Sequence, residues 1–420
     1  MMKGFHDKEK GFGIPYDDIY LVNGARTPFG RLSGTLGLVS PTDLGIYASR
    51  AALEKSDVKG EDIDQVMYAN IGQSSGDSYF LPRHVGLYSG IPMSVPAVML
   101  QRICGSGFET IIAAAEQMTL GKAASALCGG TENMTLSPTA SFGNRMGYAL
   151  GRLNFVDMLW EALNDTAAVP MGCTAENVAN KHGITKEEAN EFAKLSIDRA
   201  LAAVERGFFK DEIVPMNSTV FEGEGLKPRK VRLGKRVQDF VTDENIRPSK
   251  LEDMAKLPSV FAKDGVQTAA NSSGIVDGAA SVVIANKEFV DSRGLKPLSR
   301  VVASATSALD PNFMALGPVP SIRLVLEIAG MSLDDIGLIE INEAFAAQYL
   351  GCEKELELDR NICNVNGGAI ALGHPLAATG TRLSLTLSRE MQIRGVKYGI
   401  AAACIGGGQG TAMIFENMNA

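Results

Sequence analysis

Apolar residues along this chain fall into two patterns. Short unbroken runs lie at 20–24, 66–71, 125–129, 281–285, 298–303, 336–341, 399–404 and 411–415. Each is too short for a helix and is bounded by turn-forming residues, which predicts strands buried on both faces. Between them the spacing changes to that of a helix. Over 105–121, Phe108, Ile111, Ile112, Ala115 and Met118 recur on one stripe. Alternating strands and helices predict an α/β fold with helices on both sheet faces.

Residues 134–265 interrupt this rhythm. The stretch 134–160 is rich in Met, Gly and aromatics without a clear period. Thr185-Lys-Glu-Glu188 then reads as a capping box opening an amphipathic helix to about Arg206. A basic stretch, LKPRKVRLGKR at 226–236, follows with six Lys/Arg and no acid. It is either a solvated face or a patch for a phosphate-rich ligand. The whole segment reads as an insertion able to cover a substrate. The flanking regions echo one another. A strand leads into Cys-Gly-Ser-Gly near 104 and another into Cys-Ile-Gly-Gly-Gly near 404, while CGGTENM at 128–134 parallels IEINEAF at 339–345. The expected organisation is an N-terminal α/β half at 1–133, completed by about 266–295, an inserted loop domain at 134–265, and a C-terminal α/β half at 296–420.

Composition narrows the function. With 420 residues, 45% hydrophobic and 21% charged, the chain is an ordinary globular protein of two or three domains. Net charge of −8 argues against nucleic acid as a partner. No apolar run reaches the ~18 residues of a membrane span. The N-terminus lacks the apolar core of a secretory signal, and the C-terminus carries no peroxisomal tripeptide, so a cytoplasmic location is the default expectation. Six scattered cysteines neither form a disulfide framework nor show metal-knuckle spacing. A reducing compartment follows. There, a cysteine in an unusual Gly/Ser context is a candidate nucleophile.

Four motifs carry candidate chemistry. Cys104, in QRICGSGFETI, falls where a strand meets a helix. The helix dipole there is expected to lower the thiol pKa, with backbone N–H groups available to an oxyanion and small residues admitting a substrate. His374, one of four histidines, is framed by Gly367, Gly368 and Gly373, with Pro375 placed for the first turn of a helix ending near Arg394. Cys404 is followed by Gly406, Gly407, Gly408 and Gly410, which suggests either close approach to a ligand or a hairpin between core strands. Asn342 opens Asn-Glu-Ala-Phe, either as a helix N-cap or as an amide holding a water or carbonyl oxygen.

Taken together and in order, CGSG at 104, GGTENM at 129, MGCTAENVA at 171, NSSGIVDGAA at 271, NEAFA at 342, GHPLAATG at 373 and CIGGGQG at 404 resemble the thiolase family, from about Ile19 to Glu416. The resemblance implies a duplicated five-layered α-β-α-β-α core with an inserted loop domain. It also implies CoA-dependent cleavage of 3-ketoacyl-CoA, or Claisen condensation of two acyl-CoA molecules, through an acyl-cysteine. By similarity, Cys104 is the nucleophile, His374 takes its proton, and Cys404 moves a proton at the α-carbon. His374 with a water held by Asn342 would form one oxyanion hole, and the N–H groups of Cys104 and Gly406 the other. Such donors contribute about 3–4 kcal/mol each to a developing oxyanion. Ping-pong kinetics should follow.

The same likeness places Ser273 on the pantetheine arm, Arg247 on the adenine, the 226–236 patch near the phosphates, and Met171 and Met314 along the acyl pocket. Coenzyme A is then substrate and product, with no cofactor or metal, and the chain self-associates as a dimer or tetramer. Acetyl-CoA C-acetyltransferase is the first expectation. Short-chain members often carry His where this chain has Pro170, so a thiolase for longer or functionalised acyl chains is the alternative. A ketoacyl synthase would lack the second cysteine motif. A non-catalytic acyl-CoA-binding relative would have lost a reactive residue, and none is missing.

Overall fold

The computed structural model describes residues 4–234 and 237–420. Every strand expected from an apolar run is present. They are β2 (Ile19–Arg26), β3 (Gln65–Ala69), β5 (Ser125–Glu132), β6 (Val276–Asn286), β7 (Ser299–Ala308), β8 (Leu338–Ile341), β9 (Tyr398–Ile405) and β10 (Gln409–Glu416), joined by β1 (Gly11–Pro15) and β4 (Ala97–Leu100). They form one mixed sheet in the order β8-β9-β10-β7-β2-β6-β5-β3-β4, with β1 also pairing β7.

The order contains the duplication. In one half β3 runs parallel to β5, β5 is antiparallel to β6, and β6 to β2. In the other, β8 runs parallel to β9, β9 is antiparallel to β10, and β10 to β7. The halves meet where Leu21 and Tyr20 pair with Ser299 and Arg300. This topology corrects the motif pairing read from sequence. CGGTENM, on β5, is the counterpart of CIGGGQG, on β9. The strand entering Asn-Glu-Ala-Phe matches β3 instead.

Three apolar clusters fill the four interfaces between five layers, the middle one serving both sides of the central helices. On the outside of the first half, α1 (Pro41–Lys55) packs Leu44, Ala48 and Leu53 near Val66, Tyr68, Leu127 and Val283. In the middle, α2 (Ser106–Thr119) and α8 (Thr379–Arg394) lie together, with Phe108, Ile111, Leu383 and Leu387 filling the space between both half-sheets. Outside the second half, α6 (Pro318–Ala329) and α7 (Ala346–Leu356) cover Ala303, Ile339 and Ile414. The period-2 geometry of a strand explains how one sequence feeds two slabs. Along β9, Ile400 and Ala402 face outward while Ala401 and Ala403 face the middle layer.

Between β5 and β6 the chain leaves the sheet. Among the described residues it forms α3 (Met158–Leu163), α4 (Met171–His182), α5 (Lys186–Glu205) and three small two-stranded sheets. The Thr185–Glu188 capping box is present, with the Glu188 carboxylate accepting from Thr185 N–H at 2.7 Å and Thr185 Oγ accepting from Glu188 N–H at 3.2 Å. Within the basic stretch Lys227, Lys230 and Arg232 are exposed, and one residue departs from expectation. Arg229 turns inward and pairs with Asp43 and Asp77, both at 2.7 Å, so it is committed to the fold. Lys235 and Arg236 lie outside the described residues.

Candidate active site

Cys104 occupies a single 3₁₀ turn, Ile103–Gly105, between β4 and α2. Ser106 holds the turn from below, accepting from Arg102 N–H and donating to Ile103 C=O, both at 2.7 Å. Ile103 is forced to φ +41°, a region that β-branched residues avoid. The thiol differs from its sequence expectation. It is buried, and loss of solvent pushes its pKa up to about 12, against hydrogen bonds from the N–H groups of Gly406 and Cys104 itself. Desolvation in an apolar pocket therefore outweighs the helix terminus. Gly105 and Gly107 serve packing rather than substrate entry. A Cβ on Gly105 would fall 2.4 Å from Ile405 Cδ1, and one on Gly107 would fall 2.5 Å from Thr381 N.

His374 is buried on the turn before α8, its N–H donating to Gly274 C=O at 3.0 Å. Pro375 does not open that helix, which begins four residues later at Thr379 after a 3₁₀ turn, Leu376–Ala378. The delay gives His374 its partner. Thr379 Oγ1 lies 2.6 Å from His374 Nδ1 and donates its own hydrogen to Pro375 C=O at 3.3 Å. This arrangement suits Nδ1 carrying the imidazole hydrogen, with the lone pair on Nε2. Burial, with Arg382 adding to it, lowers the His374 pKa to about 3, so the ring is neutral with Nε2 unprotonated.

Asn342 meets that lone pair, with Nδ2 at 3.3 Å from Nε2, a long and weak contact. It is not a helix cap, because α7 starts at Ala346 and its cap is Phe345. Asn342 N–H is instead fixed by Ala402 C=O at 2.9 Å, while its Oδ1 is buried without a partner. An orphaned buried acceptor of this kind suits a bound water or substrate donor. Cys404, at the end of β9, is buried close enough to Cys104 that a charge there would raise it further, beyond the rise caused by burial. Its glycines build a hairpin, with Gly407 and Gly408 at φ +85° and +77°. The close approach they permit is to other backbone at Gly410, where a Cβ would lie 1.9 Å from Gly317 O, and to Met171 at Gly406, where a Cβ would lie 2.2 Å from its Cε.

Cys104, His374 and Cys404 share one cavity of about 160 Å³. Ser273, Met171, Met314 and Pro170 also line it. Arg247 is exposed and does not line it, and Gly406 takes part through the N–H it donates to the Cys104 sulfur. The sequence reading missed Thr379, as well as the wall residues Trp160, Leu163, Phe261, Ile275 and Phe345. Thr379 could have been sought as a hydroxyl near the histidine. Trp160 sits in the stretch without period, while Ile275 and Phe345 lie inside the quoted motifs as apolar residues with no chemical signal of their own. Among the described residues, no group of three or more His, Cys, Asp or Glu is placed to hold a metal, and no helix is long and apolar enough to cross a membrane.

Residues 19–288 match the family model described as "Thiolase, N-terminal domain", and residues 295–417 match "Thiolase, C-terminal domain". The chain is 44% identical over 402 residues to the mitochondrial 3-ketoacyl-CoA thiolase of Bos taurus, covering 95% of this chain and 98% of that one. It is 42% identical over 406 residues to an acetyl-CoA acetyltransferase of Syntrophomonas wolfei, covering 95% and 99%. Among solved structures, human mitochondrial 3-ketoacyl-CoA thiolase in complex with CoA superposes with a TM-score of 0.90 at 43% identity, over 96% of this chain and 98% of that one.

Proposed function

The chain belongs to the thiolase family and is an acyltransferase, and from that premise we propose that Cys104, His374, Cys404, Asn342 and Gly406 divide its chemistry as follows. In cleavage, neutral His374 takes the Cys104 proton at Nε2 as sulfur attacks the 3-keto carbon. The N–H groups of Cys104 and Gly406, or His374 with Asn342, hold the oxygen that gains charge. The bond between the α- and β-carbons breaks, Cys404 supplies a proton to the α-carbon, and acetyl-CoA leaves. The thiol of a second CoA then displaces the acyl group from Cys104. CoA is thus a co-substrate, with Ser273 on its pantetheine arm and Arg247 toward its adenine. The observation that carries this reading is a neutral imidazole, with its free lone pair fixed by Thr379, in one apolar cavity with two thiols.

For the acyl group, the site supports the longer-chain alternative over acetoacetyl-CoA alone. Pro170 removes a polar edge, and Trp160, Leu163, Met171, Met314 and Phe345 extend an apolar wall. The test is thiolysis across a series from acetoacetyl-CoA to 3-ketodecanoyl-CoA. Where the wall receives each added methylene, kcat/KM should rise about fourfold, from ~0.8 kcal/mol apiece. A steady fall beyond acetoacetyl-CoA would restore the short-chain reading. No turnover of any member would overturn the residue roles as well.

We further propose that 134–265 act as a loop domain over the CoA site, inserted into the half formed by 1–133 and 266–295 and facing the half at 296–420. Self-association as a dimer or tetramer is supported by an arm between Thr139–Ala140 and Val156–Asp157. It exposes Phe142, Met146, Tyr148, Leu150 and Phe155, an apolar patch unusual for a lone subunit. Six unpaired cysteines favour a reducing compartment such as the cytoplasm.

A further inference from the structure

Glu132, the last residue of β5, is 1% exposed and has no Lys or Arg partner among the described residues. Its carboxylate is held by N–H groups alone, drawn from separate parts of the chain. Oε1 accepts from Asn70 Nδ2 at 2.9 Å and Gly72 N–H at 2.8 Å. Oε2 accepts from Ile71 N–H and Ala377 N–H, each at 3.2 Å.

Ala377 belongs to the 3₁₀ turn that separates His374 from Thr379. The neighbouring Leu376 packs with Cys104, Ala69, Ile71 and Met134. The backbone of β5 also abuts this turn, since a Cβ on Gly130 would lie 1.9 Å from Ala377 O. Glu132 is near enough to Cys104 for its charge to oppose thiolate formation.

We propose that Glu132 is a positioning residue that fastens the His374 turn of the second half to the Cys104 side of the first, setting where the base stands relative to the nucleophile. A buried carboxylate without a cation is costly, and here burial, with Asp277 adding to it, raises the Glu132 pKa to about 7 against its N–H donors. An apolar residue would fill the volume without the cost, whereas two acceptor oxygens on one planar group are what can bridge Gly72 and Ala377. In Glu132→Gln the amide NH₂ must face one pair of N–H donors, so one side of the bridge is repelled. This inference rests on the roles given above to Cys104 and His374.

The experiment compares Glu132→Gln, Glu132→Asp and Asn70→Ala in the full-length enzyme. Asn70→Ala removes a donor from the far side of the same carboxylate and leaves the Ala377 bond. A shift approaching 1 Å at a reacting group costs up to about a hundredfold in rate. Glu132→Gln should therefore lower kcat about 10- to 100-fold with KM within about twofold. Acylation of Cys104 by acyl-CoA should slow in parallel. Alkylation of Cys104 by iodoacetamide in alkaline buffer, which needs no aligned base, should hold or quicken as the nearby charge is removed. Asn70→Ala should keep kcat within about threefold at a comparable loss of melting temperature.

Equal slowing of acylation and alkylation, or equal kcat loss in Asn70→Ala, would reduce Glu132 to a structural residue and overturn the proposal. Should Glu132→Gln fail to fold, Glu132→Asp keeps the charge but shortens the reach. Full kcat in that variant overturns the proposal too. Activity surviving in Cys104→Ala would instead refute the underlying reading of the site.

Discussion

Replacing Thr379 with Val keeps the shape and removes the one hydroxyl facing His374 Nδ1. In the native protein that hydroxyl accepts at 2.6 Å inside a buried site. After the change, the Nδ1 hydrogen is buried without an acceptor, which costs about 1–3 kcal/mol. The imidazole must then bear that loss, rotate, or switch tautomer against an Asn342 amide turned to present its unpartnered Oδ1, and each raises the cost of offering Nε2 as the base. If the full loss appears in the barrier, kcat falls about 5- to 150-fold. Thr379→Ser retains the acceptor and should stay within about threefold. The assay is the pre-steady-state rate of acyl-enzyme formation on Cys104, alongside steady-state thiolysis. A correctly folded Thr379→Val enzyme acylating within twofold of wild type would refute the claim that Thr379 fixes the tautomer.

Three other predictions concern the same cavity. Because burial holds the Cys104 thiol near about 12, iodoacetamide inactivation of the free enzyme should keep rising with pH, and a plateau near pH ~8 would contradict it. Cys104→Ala should abolish acyl-enzyme formation, whereas Cys404→Ala should still acylate but fail to form or break the carbon–carbon bond, as followed by intact-protein mass spectrometry and turnover. Trp160 is the single tryptophan and is 49% exposed at the cavity wall, so its emission should shift blue with a long acyl-CoA and not with CoA alone. A shift with CoA alone would place the side chain on the pantetheine path instead.

How far the sequence reaches depends on what fixes each feature. The strands were legible because burial on both faces leaves short apolar runs bounded by turn-forming residues. The capping box of α5 was legible because both of its bonds are local. The reactive residues stood out through their glycine surroundings, yet many of those glycines answer to packing, against backbone at Gly107 and Gly410 and against side chains at Gly105 and Gly373. What stayed hidden is set by contacts distant in sequence. The Cys104 pKa depends on how completely the pocket excludes water. Arg229 looked like a free cation until Asp43 and Asp77 met it. The counterpart of IEINEAF could be found only from strand order, since repeated halves keep their pairing long after their motifs diverge.

The contact between the first turns of the two central helices has an implication for how such a chain can change. Gly107 and Gly380 touch backbone to backbone, and a Cβ on Gly380 would fall 2.3 Å from Phe108 N. The nucleophile lies just before one of these helices and the base just before the other. Main-chain atoms thus fix the spacing of these two helix starts, while the turn that carries the base is placed by its own bonds, that to Glu132 among them. Outer helices can drift or be redesigned for partner and substrate without disturbing that spacing. A methyl at either glycine would separate the catalytic turns at once, so a split or permuted version of the chain should keep this seam whole and place its new ends in the outer layers.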